Sequence, residues 1–138
     1  MAAVTTPTDV RPGSTANAGT PITYGATVGF GKVLYLDAAD DTYKLAANNS
    51  TAAIAEAVAI SVTPGAATDG GYVVSTDGAL LTFTGTTFVV GDTYFLGTSG
   101  NIIPQSDLTT GNYVTRIGTA ATATVLQVSI KATGIVHA

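Results

Sequence analysis

The sequence has no cysteine, no tryptophan and few charged residues, and each shortage narrows what the protein can do. Without cysteine the chain cannot form disulfides, thiolate zinc sites or a thiol nucleophile. Charged residues make up 10% of the 138 residues, against about 25% in an average soluble domain. The chain is nevertheless 46% hydrophobic, which is too apolar for an intrinsically disordered protein. One folded domain of ordinary size is therefore the expectation.

Positive charge is sparse and scattered along the chain. The net charge is −4, and the five basic residues are Arg11, Lys32, Lys44, Arg116 and Lys131. Nucleic-acid binding requires a concentrated basic surface, and attraction to an anionic membrane surface requires one too. The sequence also has no run of about 18 consecutive apolar residues that could cross a bilayer. It thus predicts no nucleic-acid partner and no membrane partner.

The first 22 residues differ in composition from the rest, because Pro7, Pro12 and Pro21 interrupt a stretch of small residues. Proline blocks helices and removes backbone donors. We therefore interpret residues 1–22 as an extended N-terminal arm and residues 23–138 as a β-rich domain, with a frayed terminus as the alternative. The stretch lacks the basic and apolar regions of a secretory signal, which favours a protein made in the cytoplasm. If the arm lies on a neighbouring molecule, the expected contact residues are Val4, Val10, Arg11, Ile22 and Tyr24.

From residue 23 onward, short β-like runs alternate with turn signals. The last run places Leu126, Val128 and Ile130 on one face and mostly polar residues on the other, as in a strand with one wet face. A helix competes only near residues 50–54, where we expect a single turn behind a Ser50 or Thr51 cap. The pattern predicts an all-β fold, a compact β-barrel or sandwich of short antiparallel strands with at most one short helix.

The chain also contains a weak internal duplication. Residues 31–36 (GKVLYL) match residues 91–96 (GDTYFL) in character, and residues 57–60 and 72–75 match residues 114–117 and 126–129 in the same order. Similarity kept in a fixed order favours two related β-units in one core. Residues 79–90 would then form a hairpin-like connection between the two units.

The sequence offers little for catalysis. The single histidine, His137, is the penultimate residue, and the chain has no serine elbow and no phosphate-binding glycine motif. Asp37, Asp40 and Asp41 lack the spacing of a calcium loop, so we interpret them as turn residues. The six tyrosines are spread about one per strand, which suits core and interface filling better than a carbohydrate site. We therefore predict a protein without enzymatic activity, cofactor or metal.

These pieces together resemble a known family. The arm leads into GKVLYLDAADDTYKLA, followed by AVAIS, GGYVVSTDG, VGDTYFLG, YVTRIGTA and VLQVSIKATG. Over about residues 25–136 this arrangement is similar to the small head-decoration, or capsid cement, proteins of tailed bacteriophages. The resemblance implies a structural virion protein on the capsid exterior, assembled in the host cytoplasm, that clamps adjacent major capsid subunits. It also implies a homotrimer at three-fold positions, participation of an N-terminal arm and no cofactor.

Two other classes of binding protein compete with this interpretation. A receptor- or glycan-binding module of a phage fibre or tail would present an exposed aromatic cluster on one loop face. A bacterial surface or adhesin domain would need a secretion signal. Under the capsid interpretation, the low charge predicts that contacts lie on faces rich in threonine and alanine and not on charged patches.

Overall fold

The computed structural model describes residues 9–12 and 20–138, with side chains for residues 20–138. In this part of the chain the strands are β1 (Asp9–Pro12), β2 (Thr20–Thr23), β3 (Val33–Asp37), β4 (Thr42–Leu45), β5 (Ala59–Ser61), β6 (Gly70–Val74), β7 (Leu80–Thr84), β8 (Thr93–Leu96), β9 (Ile102–Pro104), β10 (Tyr113–Ala120) and β11 (Val125–Val136). A short 3-10 helix, Gln105–Asp107, follows β9. No helix in the described ranges is long and apolar enough to cross a bilayer.

The strands form two antiparallel sheets, which confirms the predicted all-β fold. The first sheet has the order β2-β6-β5-β3-β4, and the second has the order β1-β7-β11-β10-β8-β9. The first sheet curls so that Tyr24, just after β2, reaches Tyr43 of β4 through an isolated parallel bridge. One sheet thus approaches a half-barrel.

The strand orders confirm the predicted duplication. Apart from β1, the second sheet repeats the first strand by strand, with β7, β11, β10, β8 and β9 in the places of β2, β6, β5, β3 and β4. The backbone repeats in detail: the amides of Gly31 and Gly91 donate to the carbonyls of Ser61 and Ala120, both at 2.9 Å. Both glycines have positive φ, 65° and 87°, a conformation that side chains disfavour. We call residues 20–74 the first unit and residues 80–136 the second unit.

Three details of the predicted alignment are wrong. The match of residues 72–75 with residues 126–129 is shifted by one, because the registers equate Val74 with Gln127 and not with Val128. Residues 79–90 are more than a connection, because they contain β7, the first strand of the second unit. The alignment of residues 57–60 with 114–117 would pair Ser61 with Gly118, whereas the hydrogen bonds equate Ser61 with Ala120. The difference arises in β10, whose pairing with both neighbours shifts between Arg116 and Gly118. Such a bulge cannot be read from a gapless comparison.

The predicted helical turn is present as a single turn. The Ala55 amide donates to the carbonyl of Thr51 at 3.0 Å, and the Ile54 amide donates to the Thr51 hydroxyl at 3.3 Å. Thr51 is therefore the cap. The strand that follows begins at Ala59.

The two units stack in the same orientation, so that the outer side of the first sheet packs on the inner side of the second, and they form two cores. A small core, which we call the first-unit core, consists of Tyr24, Val28, Leu34, Ala59 and Val73. The neighbouring residues Val33, Ile60 and Val74 point the other way, because successive side chains alternate across a strand. They join the larger shared core, which contains Leu81, Tyr94 and Leu126 of the second unit. The outside of the first unit thus covers the inside of the second.

Candidate functional site

Within the described part of the chain, no other element covers one broad face of the second unit's sheet, which we call the outer face. Directly opposed residues in antiparallel strands share a face, so the register defines its side chains as cross-strand rows. One row is Leu80, Gln127, Thr119 and Thr93. A second row is Lys131, Arg116, Phe95 and Ile103.

The outer face is mixed, because its first row is neutral and its second row carries the basic side chains of Lys131 and Arg116. Leu80 is 41% exposed, and the threonines and Gln127 surround it with neutral polar groups. The guanidinium of Arg116 lies flat on the sheet, donating from Nε to the Ser129 carbonyl at 3.0 Å and from Nη2 to the Ser129 hydroxyl at 2.9 Å. The two rows contain no carboxylate, and Thr93 and Ile103 at their ends border two clefts. Such a face suits a broad contact with another protein surface better than the binding of a small molecule.

The edge of the same sheet carries the described part of the predicted arm. β1 pairs with β7, with Val10 opposite Phe83 and Arg11 opposite Thr82. The Phe83 amide donates to the Thr124 carbonyl on the β11 side at 2.7 Å, so the backbone groups of Thr82 point to β1. The β7 edge is therefore a surface that accepts an added strand.

The equivalent edge of the first unit is blocked. The register equates Thr82 with Pro21 of β2, because their partners Val125 and Tyr72 occupy equivalent places. Proline has no amide hydrogen, so this edge lacks the donor that a further strand would need. The two units therefore differ in their capacity to accept a strand.

The structure places the predicted contact residues of the arm in different environments or does not describe them. Val4 lies outside the described residues, and Val10 and Arg11 are placed only by the β1 backbone. Ile22 is half-buried against the first-unit core. The predicted boundary between residues 22 and 23 falls inside β2.

Tyr24 is a core residue. Its side chain is fully buried, and its hydroxyl donates to the Thr63 carbonyl at 2.6 Å. A Cβ on Gly71 would overlap the Tyr24 ring, so the glycine makes room for it. Burial raises the pKa of the Tyr24 phenol above its ordinary value, although the hydrogen bond with Thr63 opposes this. A side chain held in this way is not available to a partner.

The aspartate cluster forms a hairpin turn. The amides of Ala39 and Thr42 donate to the carboxylates of Asp37 and Asp40, at 3.0 and 3.2 Å. The Lys44 ammonium contacts both carboxylates, at 2.7 Å from Asp37 and 3.2 Å from Asp40. The hydrogen bond from Lys44 is the largest cause that lowers the pKa of Asp37. For Asp40, the largest cause of the lowered pKa is the hydrogen bond from the Thr42 hydroxyl. These interactions support the interpretation as turn residues.

Two clefts flank the segment of residues 105–112. His137 lines one, of about 760 Å³, together with Asp92, Gln105 and Ser106. The backbone holds His137 in place, because its amide donates to the Asn112 carbonyl at 2.7 Å and its carbonyl accepts from the Gly111 amide at 3.0 Å.

The other cleft, of about 410 Å³, is lined by Asn48, Asn49, Thr98, Asp107, Thr109 and Asn112, and we call it the Asn48 pocket. The sequence patterns did not predict this pocket. No local signal could have found it, because its residues come from three distant parts of the chain.

Comparison of the chain with protein-family models, with curated proteins and with solved structures gave no match in any of the three.

Proposed function

We propose that this protein is a structural virion protein without enzymatic activity, which binds the outer surface of a phage capsid and stabilises contacts between major capsid subunits. The observation that carries the proposal is the outer face, a broad sheet surface of neutral polar, apolar and basic side chains that no other element of the described residues covers. Its first row is neutral, as the low charge of the sequence predicts, whereas its second row adds the basic residues Lys131 and Arg116. The family resemblance over residues 25–136 supplies the identity of the partner.

The physics of a capsid clamp suits such a surface. A decoration protein that self-associates as a homotrimer engages several capsid subunits at once, so contacts that are weak individually combine. The low overall charge of the chain adds little electrostatic repulsion between copies or between protein and shell. The acceptor edge of β7 also gives the arm a place to be ordered next to the outer face.

The glycan-binding alternative has less support. A sugar site of that kind would present several exposed aromatic rings on one loop face. Among residues 20–138, Tyr72 is the one aromatic side chain that is largely exposed, at 49%, and it lies in strand β6. The other rings of this range are buried or half-buried.

Two leucines with equal exposure provide a matched test. Leu80 of β7 lies on the outer face, Leu36 of β3 lies in the first unit, and both are 41% exposed. Purified protein is added to undecorated, expanded capsids of the phage that encodes it, and the bound density is imaged. We expect saturable density at three-fold or quasi-three-fold positions, binding about tenfold weaker for Leu80→Asp, and unchanged binding for Leu36→Asp.

The opposite results would reject the proposal. Absence of saturable capsid binding, together with binding to intact host cells, would favour the receptor-binding alternative. Equal effects of the two aspartate substitutions would remove the outer face from the contact.

The arm is tested by deleting residues 1–12, because β2 begins at Thr20 and a longer deletion would damage the first sheet. We expect weaker capsid binding with an unchanged near-UV circular dichroism spectrum. Unchanged capsid affinity would show that the arm does not take part.

A further inference from the structure

The most unusual polar atoms of the described chain lie at one end of the molecule. Among residues 20–138, two buried side-chain atoms have no hydrogen-bond partner, Asn48 Oδ1 and His137 Nδ1. They line the two clefts on either side of residues 105–112. Buried polar atoms without partners are rare and call for an explanation, and the Asn48 pocket offers the sharper geometry.

Three hydrogen bonds fix Asn48 in its place between the two units. Its Nδ2 donates to the Leu96 carbonyl at 2.9 Å, its amide donates to Gly97 at 3.1 Å, and its carbonyl accepts from Tyr113 at 2.8 Å. The residue is 2% exposed. Because the Leu96 carbonyl requires a donor, the side-chain amide cannot be flipped, and Oδ1 must be the atom that lacks a partner.

The remaining polar groups of the pocket make it rich in acceptors. Asn112 Oδ1 is already occupied, since it accepts from the Thr109 amide at 2.8 Å and the Thr109 hydroxyl at 2.9 Å. The half-buried Asp107 carboxylate makes no ion pair among residues 20–138. No lysine or arginine lines the pocket. Asp107 and Asn48, which carries the unpaired buried oxygen, thus line the same cavity, and no cation stands among its described lining residues.

We propose that the Asn48 pocket binds a cationic hydrogen-bond donor, the ammonium or guanidinium group of a basic side chain. Such a group donates to Asn48 Oδ1 and neutralises Asp107, which no neutral ligand does. A cavity of about 410 Å³ has room for the end of one lysine or arginine side chain. The assignment of that side chain to a capsid subunit rests on the proposed function, whereas the pocket's preference for a cation does not.

The preference is tested on the free protein with small probes. N-acetyl-arginine amide and N-acetyl-lysine amide are titrated by ¹H–¹⁵N NMR, and neutral N-acetyl-citrulline amide is the matched control. We expect saturable shifts of the Asn48 side-chain amide and the Asp107 amide with the two cations and none with citrulline, weakening as salt is added. Equal shifts with citrulline, or no shifts at all, would overturn the proposal, and so would a Ca²⁺ titration that saturates the same signals while neither organic cation binds.

Variants separate the pocket from a general effect of charge. Asp107→Asn should weaken probe binding about tenfold, the factor expected when one charge-assisted hydrogen bond is lost. Asp77→Asn removes the same charge from the exposed turn between β6 and β7 and should leave probe binding unchanged. Equal effects of the two variants would mean that net charge, and not the pocket, attracts the probes.

The partner is tested with the same variants on capsids. Asp107→Asn should bind the shell more weakly than Asp77→Asn. If Asp107→Asn loses probe binding but binds capsids like the wild type, the capsid side chain is not the occupant. If no variant binds capsids while the probes still bind, the proposed function fails and the cation site stands.

Discussion

The two units share one strand order and one register, but the first unit buries both faces of its sheet and the second unit buries one. In the first unit the row Val33, Ile60 and Val74 lies in the shared core. The register places Thr93, Thr119 and Gln127 in the equivalent row of the second unit, where it belongs to the outer face. The same backbone therefore presents a hydrophobic surface in one unit and a polar surface in the other. Side-chain chemistry alone decides which face is covered.

This difference leaves the second unit without a hydrophobic outer row on which a further unit could stack. Each unit contacts the other through a different face, so the packing is heterologous and does not close on itself. A third unit could in principle stack on the outer face in the same way. The polar row of the second unit prevents stacking at one end. At the other end the buried ring of Tyr24 fills the inside of the first unit.

The largest effect should come from removing the Tyr24 ring. Tyr24→Ala leaves a cavity in the first-unit core, and we expect a loss of about 3–5 kcal/mol in the free energy of unfolding. Tyr72→Ala, at a ring that is 49% exposed, should cost less than about 1 kcal/mol. Urea denaturation of both variants measures the difference. Similar losses would show that Tyr24 does not close the first unit.

A substitution in the hydrophobic row should have the next largest effect. Ile60→Thr gives the first unit the residue that the second unit has at Thr119, within the shared core. We expect a loss of about 2–4 kcal/mol in unfolding free energy, because the change removes buried carbon and buries a hydroxyl. The same denaturation assay applies. The reverse change, Thr119→Ile on the outer face, should alter the unfolding free energy little. If Ile60→Thr costs equally little, the structural equivalence of Ile60 and Thr119 is contradicted.

Reversing the outer row should change association and leave stability nearly constant. The triple variant Thr93→Val, Thr119→Ile and Gln127→Val copies the first-unit row onto the outer face. We expect unfolding free energy within about 1 kcal/mol of the wild type, together with concentration-dependent self-association in sedimentation velocity. If sedimentation is unchanged at high concentration, the polar row is not what ends the repetition.

The smallest effect concerns the hairpin turns, which carry charge in the first unit only. The pKa of Asp37 is lowered and that of Lys44 is raised by their mutual hydrogen bond. The stabilisation is therefore present above the ordinary aspartate pKa and is lost as the pH falls through the lower folded value. Lys44→Met should be less stable than wild type near neutral pH and should converge with it in acid. Lys131→Met is the control, and equal pH profiles of the two variants would refute the role of the turn.

The sequence predicted the class of fold and the duplication because both depend on local patterns. The predicted alternation of buried and exposed side chains in residues 124–132 is present in the structure, where Leu126 and Val128 are fully buried and Gln127 is exposed. The burial of Tyr24 was not predictable, since it depends on the curl of the first sheet and on space left by Gly71. The Asn48 pocket depends on contacts between the units that are 48 or more residues apart along the chain. Tertiary packing, which no local pattern contains, therefore decides the candidate sites.

Hydroxyl-radical footprinting of free and capsid-bound protein tests the central claim most directly, because it compares the two units within one molecule. Leu80 and Phe95 report on the outer face of the second unit, and Leu36 reports on the first unit. We predict that capsid binding protects Leu80 and Phe95 from oxidation and leaves Leu36 as reactive as in the free protein. Protection of Leu36 without protection of Leu80 and Phe95 would contradict it.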